Sequence, residues 1–587
     1  MNQQKYVKYE KYENYDYYDY LIVGAGVSGL YTAYELCKKY PEAKICILEA
    51  TEYIGGRLHS IKYDGLIMDG GGARFNIEQH RIISLIKEIG LWDKAIPIGS
   101  DITYKPVNDK NNYDSLKNIF PTIDNFIVFM KKYIKEKKIK RYLLINTTIL
   151  EFAVEHFSKD YPEIKQYLIN LYPYYSELGV LNAVEGLSLF SNEFSDKTKY
   201  YILNGGLEQL AETIYNKLLQ SKKANKCNID IYKEKPVIEI IQDVSINNNQ
   251  ISYKIKTSDS NDNDQYKYFY ANKLILTIPK NKLINIKISV LPTLKKKLLE
   301  FKNNINSIQN EPLYRIYARY PLDKKTNKVW FDGMGKISTN LPIKYIIPNN
   351  YQKGVIMISY TDSKFARYWI KQFAEGTFET TLNKQLKQLF PDIDIPKAKW
   401  FKHCPWISGA GYWKKGYDRK IIMPKMIEPL GHHKNLYMCG ENYSSHQAWV
   451  EGSLETSDMV LDKLYNYNHL VKANKEIKKT IKNLKNLKNL KNIKGGNRKS
   501  KLKKSDVKTT LKTFTLEEVA KHNKKSDAWI VINDKVANIT DWIPKHPGGD
   551  IIMKGVGKDA TQLFNSIGHD EYAKTMLKKY QIGILKK

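Results

Sequence analysis

At 587 residues the chain is too long for one ordinary core, so two or three domains are the starting expectation, and 42% hydrophobic with 12% aromatic content suits globular rather than disordered or collagen-like material. A formal net charge of +32 brings nucleic acid or an anionic membrane to mind, but residues 466–512 alone carry about +14 of it. No run approaches 18 apolar residues and the N-terminal stretch has no apolar h-region, which excludes a membrane span and a secretory signal of the usual kinds.

Residues 1–18 form a tyrosine-rich tail. After it, "YLIVGAGVSGLYTAYELCKKYPEAKICILEA" reads as strand, tight turn, helix and second strand. Gly24, Gly26 and Gly29 form the G-x-G-x-x-G turn that lets helix N–H groups face a pyrophosphate. The second strand ends in Glu49, 20 residues past Gly29, where a carboxylate can accept from ribose hydroxyls. Strand, helix, second strand and acid fall in register, which predicts a bound dinucleotide. A second glycine–arginine turn follows at Gly55, Gly56 and Arg57, and then "MDGGGARFN" puts Arg74 behind a glycine run that includes Gly72. Glycines there let the backbone come close to a ligand.

A helical, tyrosine-rich stretch covers 77–199. "YILNGGLEQLAETI" and "EKPVIEI", the latter holding Val237, come next, then "EPLYRIYARYP" with Arg315, "CPWISGAGYWKKGY" with Tyr412, and "NLYMCGENYSSHQAWVEGSLETS". That last block reads as a strand, a Gly440–Glu441 turn and a helix starting near Trp449. Residues 466–511 read as a basic, low-complexity flexible linker rather than a nucleic-acid or membrane binder; about 45 such residues give an r.m.s. reach of roughly 35–40 Å. Past the linker, Thr515 and Glu518 make a capping box, "AWIVINDKVANIT" reads as a hairpin with an Asn-Asp turn, and His546 and His569 each close a helix–loop segment. The five cysteines (Cys37, Cys46, Cys227, Cys404, Cys439) are scattered and odd in number, which predicts free thiols in a reducing compartment. A soluble, cytoplasmic protein is the expectation, and the A/T-rich codon bias of Lys, Asn, Ile and Tyr suits a protist or a large DNA virus, in which case a virion is a further location.

Residues 18–465 resemble the flavin-containing amine oxidase family, which includes monoamine, polyamine and L-amino-acid oxidases; the blocks quoted above match its FAD contacts in order. The resemblance implies an α/β Rossmann-like FAD domain with an inserted mixed-sheet and helical substrate domain. The FAD part would be about 19–75, 200–285 and 400–465, and the substrate part 76–199 and 286–399. It implies that Glu49 takes the adenosine ribose, Arg57 lies near the diphosphate, Val237 packs near adenine and Glu441 lies beside the phosphate and ribityl region. FAD is expected to be noncovalent, because Gly411 stands where covalent relatives carry a cysteine.

The resemblance also implies roles at the reacting carbon. Arg74 matches the arginine with which L-amino-acid oxidases grip the substrate carboxylate, a contact suited to the planar guanidinium fork; a purely structural arginine is the other reading. Tyr412 and Trp449 match rings flanking the substrate amine, an apolar slot that would favour the neutral amine, or else they are core aromatics. Arg315 falls where relatives carry a lysine that holds water near the flavin. An arginine there cannot accept a proton, so it positions water, or the register differs, or turnover is slow.

Residues 512–587 resemble cytochrome b5, with His546-Pro547-Gly548-Gly549 as the hallmark. The resemblance implies a small α+β domain with a b-type haem held axially by His546 and His569. With no open iron position, that haem would carry electrons and not activate oxygen.

Together these imply an FAD enzyme that oxidatively deaminates an L-amino acid. Hydride leaves the α-carbon for flavin N5, and the imino acid hydrolyses to keto acid and ammonia. Electrons pass to oxygen, giving peroxide, or to the fused haem or a redox partner protein. A monoamine or polyamine oxidase acting without a carboxylate is the alternative enzyme. A catalytically weak electron-transfer or packaged structural protein is the alternative of another class, and an oligomer is compatible with any of them.

Overall fold

The computed structural model describes residues 17–99, 101–107, 113–192, 198–245, 250–258, 266–465, 512–543, 549–566 and 577–586. The chain divides into two compact units, residues 1–475 and 476–587.

The first unit is built on two large sheets, with a two-stranded sheet (Ser60–Tyr63 and Leu66–Asp69) and a three-stranded one (Phe75–Asn76, Tyr200–Leu203 and Ala95–Ile98) beside them. One has eight strands, and its centre is parallel: Tyr17–Val23 pairs with Lys44–Leu48 on one side and with Tyr266–Leu276 on the other, and Asn228–Tyr232 extends it beyond Lys44–Leu48. Strand Tyr17–Val23 alternates over its first residues and then becomes continuously buried, as a strand covered on both faces must. It starts earlier than the tyrosine-rich tail predicts. Tyr18 is fully buried and donates to Asp230 (3.0 Å), so the end of that tail belongs to the sheet. Residues 1–16 lie outside the described residues.

Helix Val27–Lys39 packs its Leu30, Ala33 and Leu36 into the core on this sheet. Gly29 permits that packing. A Cβ there would fall 2.0 Å from the Gly24 carbonyl oxygen, so the helix can lie this close to the strand only without one.

The second sheet has six strands, in the order Trp400–Trp413, Ile308–Arg319, Val355–Asp362, Tyr345–Asn350, Lys336–Ser338 and Ile102–Tyr104. It is antiparallel except at its last pair. Two expected boundaries move. Strand Trp400–Trp413, expected in the FAD part, is hydrogen-bonded along its length to Ile308–Arg319, and Lys287–Ser289, expected in the substrate part, joins the eight-stranded sheet. Both are edge strands, whose sheet is set by tertiary pairing and not by their own pattern. The helices between residues 114 and 192 form a separate aromatic core that includes Phe120, Phe126, Phe152 and Tyr167.

Cys37 and Cys227 form a disulfide, which corrects the expectation of five free thiols; Cys46, Cys404 and Cys439 are free and buried. The pair is 190 residues apart in sequence, so spacing could not announce it. The fold brings them together by setting the helix that carries Cys37 beside the entry to strand Asn228–Tyr232.

The second unit holds a five-stranded sheet and short helices. The predicted capping box is present: Thr515 accepts from Glu518 N (3.2 Å) and Glu518 from Thr515 N (2.7 Å), opening helix Leu516–Lys521. Strands Asp527–Ile532 and Lys535–Asn538 form the predicted hairpin, with Asn533 and Asp534 both at positive φ as a two-residue turn requires. His546, His569 and the linker 466–511 lie outside the described residues.

Gly29→Ala is expected to destabilise the first unit by about 1–3 kcal/mol or more and to lower its flavin content. Thermal melts and flavin absorbance of the purified protein check this; an unchanged melting midpoint would contradict it.

Candidate functional site

A cavity of ≈ 950 Å³ lies in the first unit. Gly24, Gly26, Glu49, Gly56, Arg57, Gly72, Val237, Gly440 and Glu441 line it, and so do Arg74, Arg315, Tyr412 and Trp449. Of the site residues predicted for this unit only Gly29 is missing from the wall; it sits behind, holding helix to strand.

The wall suits a dinucleotide. Helix Val27–Lys39 starts at Gly26 with no side chain capping its first turn, and its first residues Val27 and Ser28 face the cavity, so N–H groups are available to a pyrophosphate. Glu49 is fixed at the wall by accepting from Ala25 N (2.8 Å) and Thr51 N (3.0 Å). Arg57 and Glu441 pair with each other at 2.7 Å. Glu441, only 3% exposed, also accepts from Gly411 N (2.9 Å), which ties strand Trp400–Trp413 to the glycine–arginine turn. Glu441 is the buried partner and Arg57 is partly exposed, so losing Arg57 would leave a buried carboxylate without its cation, the costly way to break such a pair.

The loop that carries Arg74 is held from several sides. Gly70 N and Gly71 N donate to the His59 carbonyl (2.8 and 3.0 Å), and Gly72 N to that of Arg57 (2.9 Å). A Cβ on Gly71 would lie 2.0 Å from the Arg57 oxygen, so the glycine run is what lets the loop lie on the 57–59 turn. Arg315 and Tyr317 both donate to the Asp69 carbonyl (2.8 Å each), and the Trp406 indole donates to that of Gly70 (2.7 Å). The Asp69 carboxylate accepts from Leu207 N (2.9 Å) and Ser60 Oγ (3.1 Å), and burial pushes it up to about 6. Arg315 therefore lines the cavity as the lysine position would, but one of its donors is committed to this loop and its guanidinium lies over the Tyr360 ring (4.5 Å).

Arg74 is half-buried, its guanidinium carbon 4.9 Å from the centre of the Tyr200 ring and 5.7 Å from that of Trp449. Burial opposes its charge, but the surrounding phenols of Tyr174, Tyr345, Tyr200 and Tyr360 more than offset this, and it stays protonated at any working pH. Tyr345, to which the sequence pattern gives no role, belongs to the same cluster; its ring centre lies 5.9 Å from that of Tyr174.

Two acids in the wall carried no sequence signal: Glu177 and Asp362. Glu177 is 5% exposed, and its Oε1 accepts from the Tyr412 hydroxyl (3.2 Å), while Oε2 has no hydrogen-bond donor among the described residues. Burial, and then the neighbouring Asp362, push its carboxyl up to about 8. Asp362 is 1% exposed and accepts from Tyr175 N (2.7 Å) and Ser176 N (2.6 Å). Burial raises it as well, against the amides that favour its charge. The Tyr412–Trp449 slot is accordingly not apolar: Tyr412 is bonded to an acid and Trp449 flanks a guanidinium. Ala448, directly before Trp449, sits at φ 67°, a left-handed conformation uncommon for a residue with a Cβ.

With this geometry in view, comparison identifies the class. Residues 27–459 match the family described as "Flavin containing amine oxidoreductase", and the chain belongs to that family. Residues 515–586 match the "Cytochrome b5-like Heme/Steroid binding domain". A solved structure of a putrescine oxidase mutant, from a redesign of that enzyme's cofactor binding, superposes with a TM-score of 0.57 over 77% of this chain and 99% of that one, at 16% identity, so the likeness is one of fold. A protein of Acanthamoeba polyphaga mimivirus recorded as "Uncharacterized protein R188" is 22% identical across 516 residues, 78% of this chain and 95% of its own length. Cytochrome b5 isoform B of Arabidopsis thaliana is 49% identical over 73 residues, 12% of this chain; the chain spans about half (54%) of that relative's length.

FAD is thus the cofactor of the first unit and a b-type haem that of the second. The described residues of the second unit suit a largely apolar ring: Ile543 and Phe564, just before the segments holding His546 and His569, share one core with Val556 and Leu577. Among the described residues no helix is long and apolar enough to cross a membrane.

The Glu177 shift has a direction in stability. An unfolded Glu titrates near 4.3, so the folded chain holds this proton over a range where the unfolded chain has lost it. The stability contribution is full below about pH 4 and is lost as pH rises to about 8. Glu177→Gln is expected to melt progressively higher than the parent across that window, by on the order of a few kcal/mol at its top. Thermal melts at pH 4.5 and 8.5 test this, and an equal difference at both would contradict it.

Proposed function

We propose that the first unit oxidises the C–N bond of an L-amino acid. The observation that carries this reading is Arg74: a permanent cation in the wall of the flavin-family cavity, between Tyr200 and Trp449. FAD, when bound, supplies the two-electron acceptor for the oxidation, and the haem of the second unit a one-electron carrier.

The chain's own residues do the rest. The Arg74 guanidinium would take the substrate carboxylate through two parallel N–H donors, which fixes the α-carbon at a set distance from the wall. Arg315, Tyr317 and Trp406 would act as positioning residues, since their bonds to the Asp69 and Gly70 carbonyls hold the loop from which Arg74 projects. Tyr412 and Trp449 would flank the amino group. Gly24, Gly26, Glu49, Gly56, Arg57, Gly72, Val237, Gly440 and Glu441 would hold the cofactor, and His546 and His569 the haem iron. Oxygen or the haem would then accept the electrons, with imino acid, and after hydrolysis keto acid and ammonia, as products.

Oxidation of an amine without a carboxylate is the second reading. It is favoured by the likeness to putrescine oxidase and by the buried acids Glu177 and Asp362, which suit a cation.

A panel of amino acids and amines, followed anaerobically by flavin absorbance, separates the two. Arg74→Leu is expected to lower amino-acid kcat/KM by about 30- to 5,000-fold, the loss that goes with about 2–5 kcal/mol for a truncated charge pair, and to spare amine turnover. Equal loss on both substrate classes, with flavin retained, would overturn the clamp. For the second unit, His546→Ala and His569→Ala are each expected to abolish the six-coordinate low-spin haem spectrum without changing flavin content.

A further inference from the structure

The amine nitrogen must reach the oxidation step with a lone pair, yet amino acids and alkylamines arrive as ammonium ions. Something has to take that proton. Among the residues lining the cavity, Arg74 and Arg315 cannot accept it; Glu49, Glu441 and His59 already face Ala25 N and Thr51 N, Arg57, and Glu208 respectively; and Tyr412 and Tyr174 are phenols raised further by burial. Asp362 has both carboxylate oxygens engaged by backbone N–H groups. Glu177 differs: one oxygen is held by the Tyr412 hydroxyl, and the other is buried without a donor among the described residues. A buried carboxyl oxygen left so calls for a partner that is not part of the protein.

We propose that Glu177 is the group that receives the substrate's ammonium: its Oε2 accepts an N–H of the incoming –NH3+, and the proton then passes to it. One N–H bond breaks, one O–H bond forms on Glu177, and the electron pair stays on nitrogen as the lone pair the oxidation requires. Net charge is conserved, because carboxylate and ammonium become carboxylic acid and amine. Tyr412, one of the rings flanking the amine, is thereby also the group that orients its acceptor.

The groups facing Glu177 tune it. Asp362 on the neighbouring sheet discourages its ionisation, Arg74 on the glycine loop favours it, and Tyr412 and Tyr172 complete its surroundings. With its carboxyl raised to about 8, Glu177 is a far better match for an amine than an ordinary glutamate. The sign follows: the acceptor form is present above this value, so wild-type kcat/KM rises through it and falls again once the free substrate loses its own proton.

This inference rests on the amine-oxidation reading but not on the carboxylate clamp. The test is the pH profile of kcat/KM for the FAD-loaded full-length protein and for Glu177→Gln, which keeps shape and can still accept from Tyr412. For the variant, kcat/KM is expected to drop on the order of 100-fold at pH 7, its rising limb to move up to the substrate ammonium's own pKa, and its activity to climb back toward wild type above that pH. A merely structural role would not give that alkaline recovery. A second readout needs no turnover: the affinity for 2-methylalanine or tert-butylamine, neither of which has a hydrogen on the carbon bearing nitrogen, is expected to rise with pH only up to about 8 in wild type but up to the ligand ammonium's own pKa in the variant. An unshifted limb, or a loss that persists at alkaline pH with flavin retained, would overturn the proposal. Because both an amino acid and a plain amine are used, failure of Arg74 as a clamp shows as lost selectivity between them, whereas failure of Glu177 shows as an unmoved limb with either.

Discussion

The close approach of Gly71 to the Arg57 carbonyl is the contact on which the rest of the site depends. It stacks two glycine-rich turns face to face, one bearing the cation paired with Glu441 and the other bearing Arg74. No residue with a Cβ fits at that point, because 2.0 Å is far inside any real contact distance. Three side-chain donors, from Arg315, Tyr317 and Trp406, then bind the carbonyls of the second turn and suppress its freedom. These donors come from the six-stranded sheet, whereas the 55–57 turn follows strand Lys44–Leu48 of the eight-stranded sheet, so the site draws on both. A loop fixed by backbone hydrogen bonds on one side and side-chain donors on the other can hold an arginine in place without relying on the arginine's own partners.

Charge in the cavity is arranged in two parts that behave differently. Arg57 and Glu441 neutralise each other at 2.7 Å and so form a rigid brace, whose removal would leave a charge buried. Glu177 and Asp362, in the same cavity as Arg74, are held otherwise: Glu177 meets the Tyr412 hydroxyl, and Asp362 the backbone at Tyr175 and Ser176. Both acids are pushed up by burial, so each keeps its proton over a wider pH range than an exposed carboxyl. The pH dependence of folding and that of turnover then share one origin in Glu177, with opposite signs: ionisation lowers stability and creates the proton acceptor.

What was legible in the sequence was what short-range chemistry fixes. The turn at Gly24 and Gly26, the acid at Glu49, and the Thr515–Glu518 capping box are local patterns whose geometry follows from a few consecutive residues. Gly29 belongs to the same motif, yet its place is packing and not the cavity wall, a distinction that needs the carbonyl of Gly24 in space. The Cys37–Cys227 bond, the sheet membership of Trp400–Trp413 and the gathering of Glu177 beside Tyr412 all join residues tens to hundreds of positions apart, and no periodicity encodes them. Glu177 is the hardest to see, since an acid in the four-residue helix Ser176–Gly179 looks like any surface glutamate until its neighbours are known. Arg315 sits between these cases: its place in a strand can be read, but its commitment to the Asp69 carbonyl cannot.

Selectivity in such a cavity comes from what each candidate substrate would leave unpaired. On the proposed reading a zwitterion would offer its carboxylate to Arg74 and its ammonium to Glu177. A plain amine answers Glu177 but leaves the guanidinium to the phenols around it, whereas a carboxylic acid without nitrogen answers Arg74 and leaves Glu177 with an unfilled oxygen. Leaving a buried polar group such as Glu177 Oε2 unpaired costs about 1–3 kcal/mol, more when it is charged, so that mismatch is worth roughly tenfold or more in affinity. On the proposed reading a simple carboxylate, which would meet Arg74 but carries no amine to oxidise, is the natural class of inhibitor.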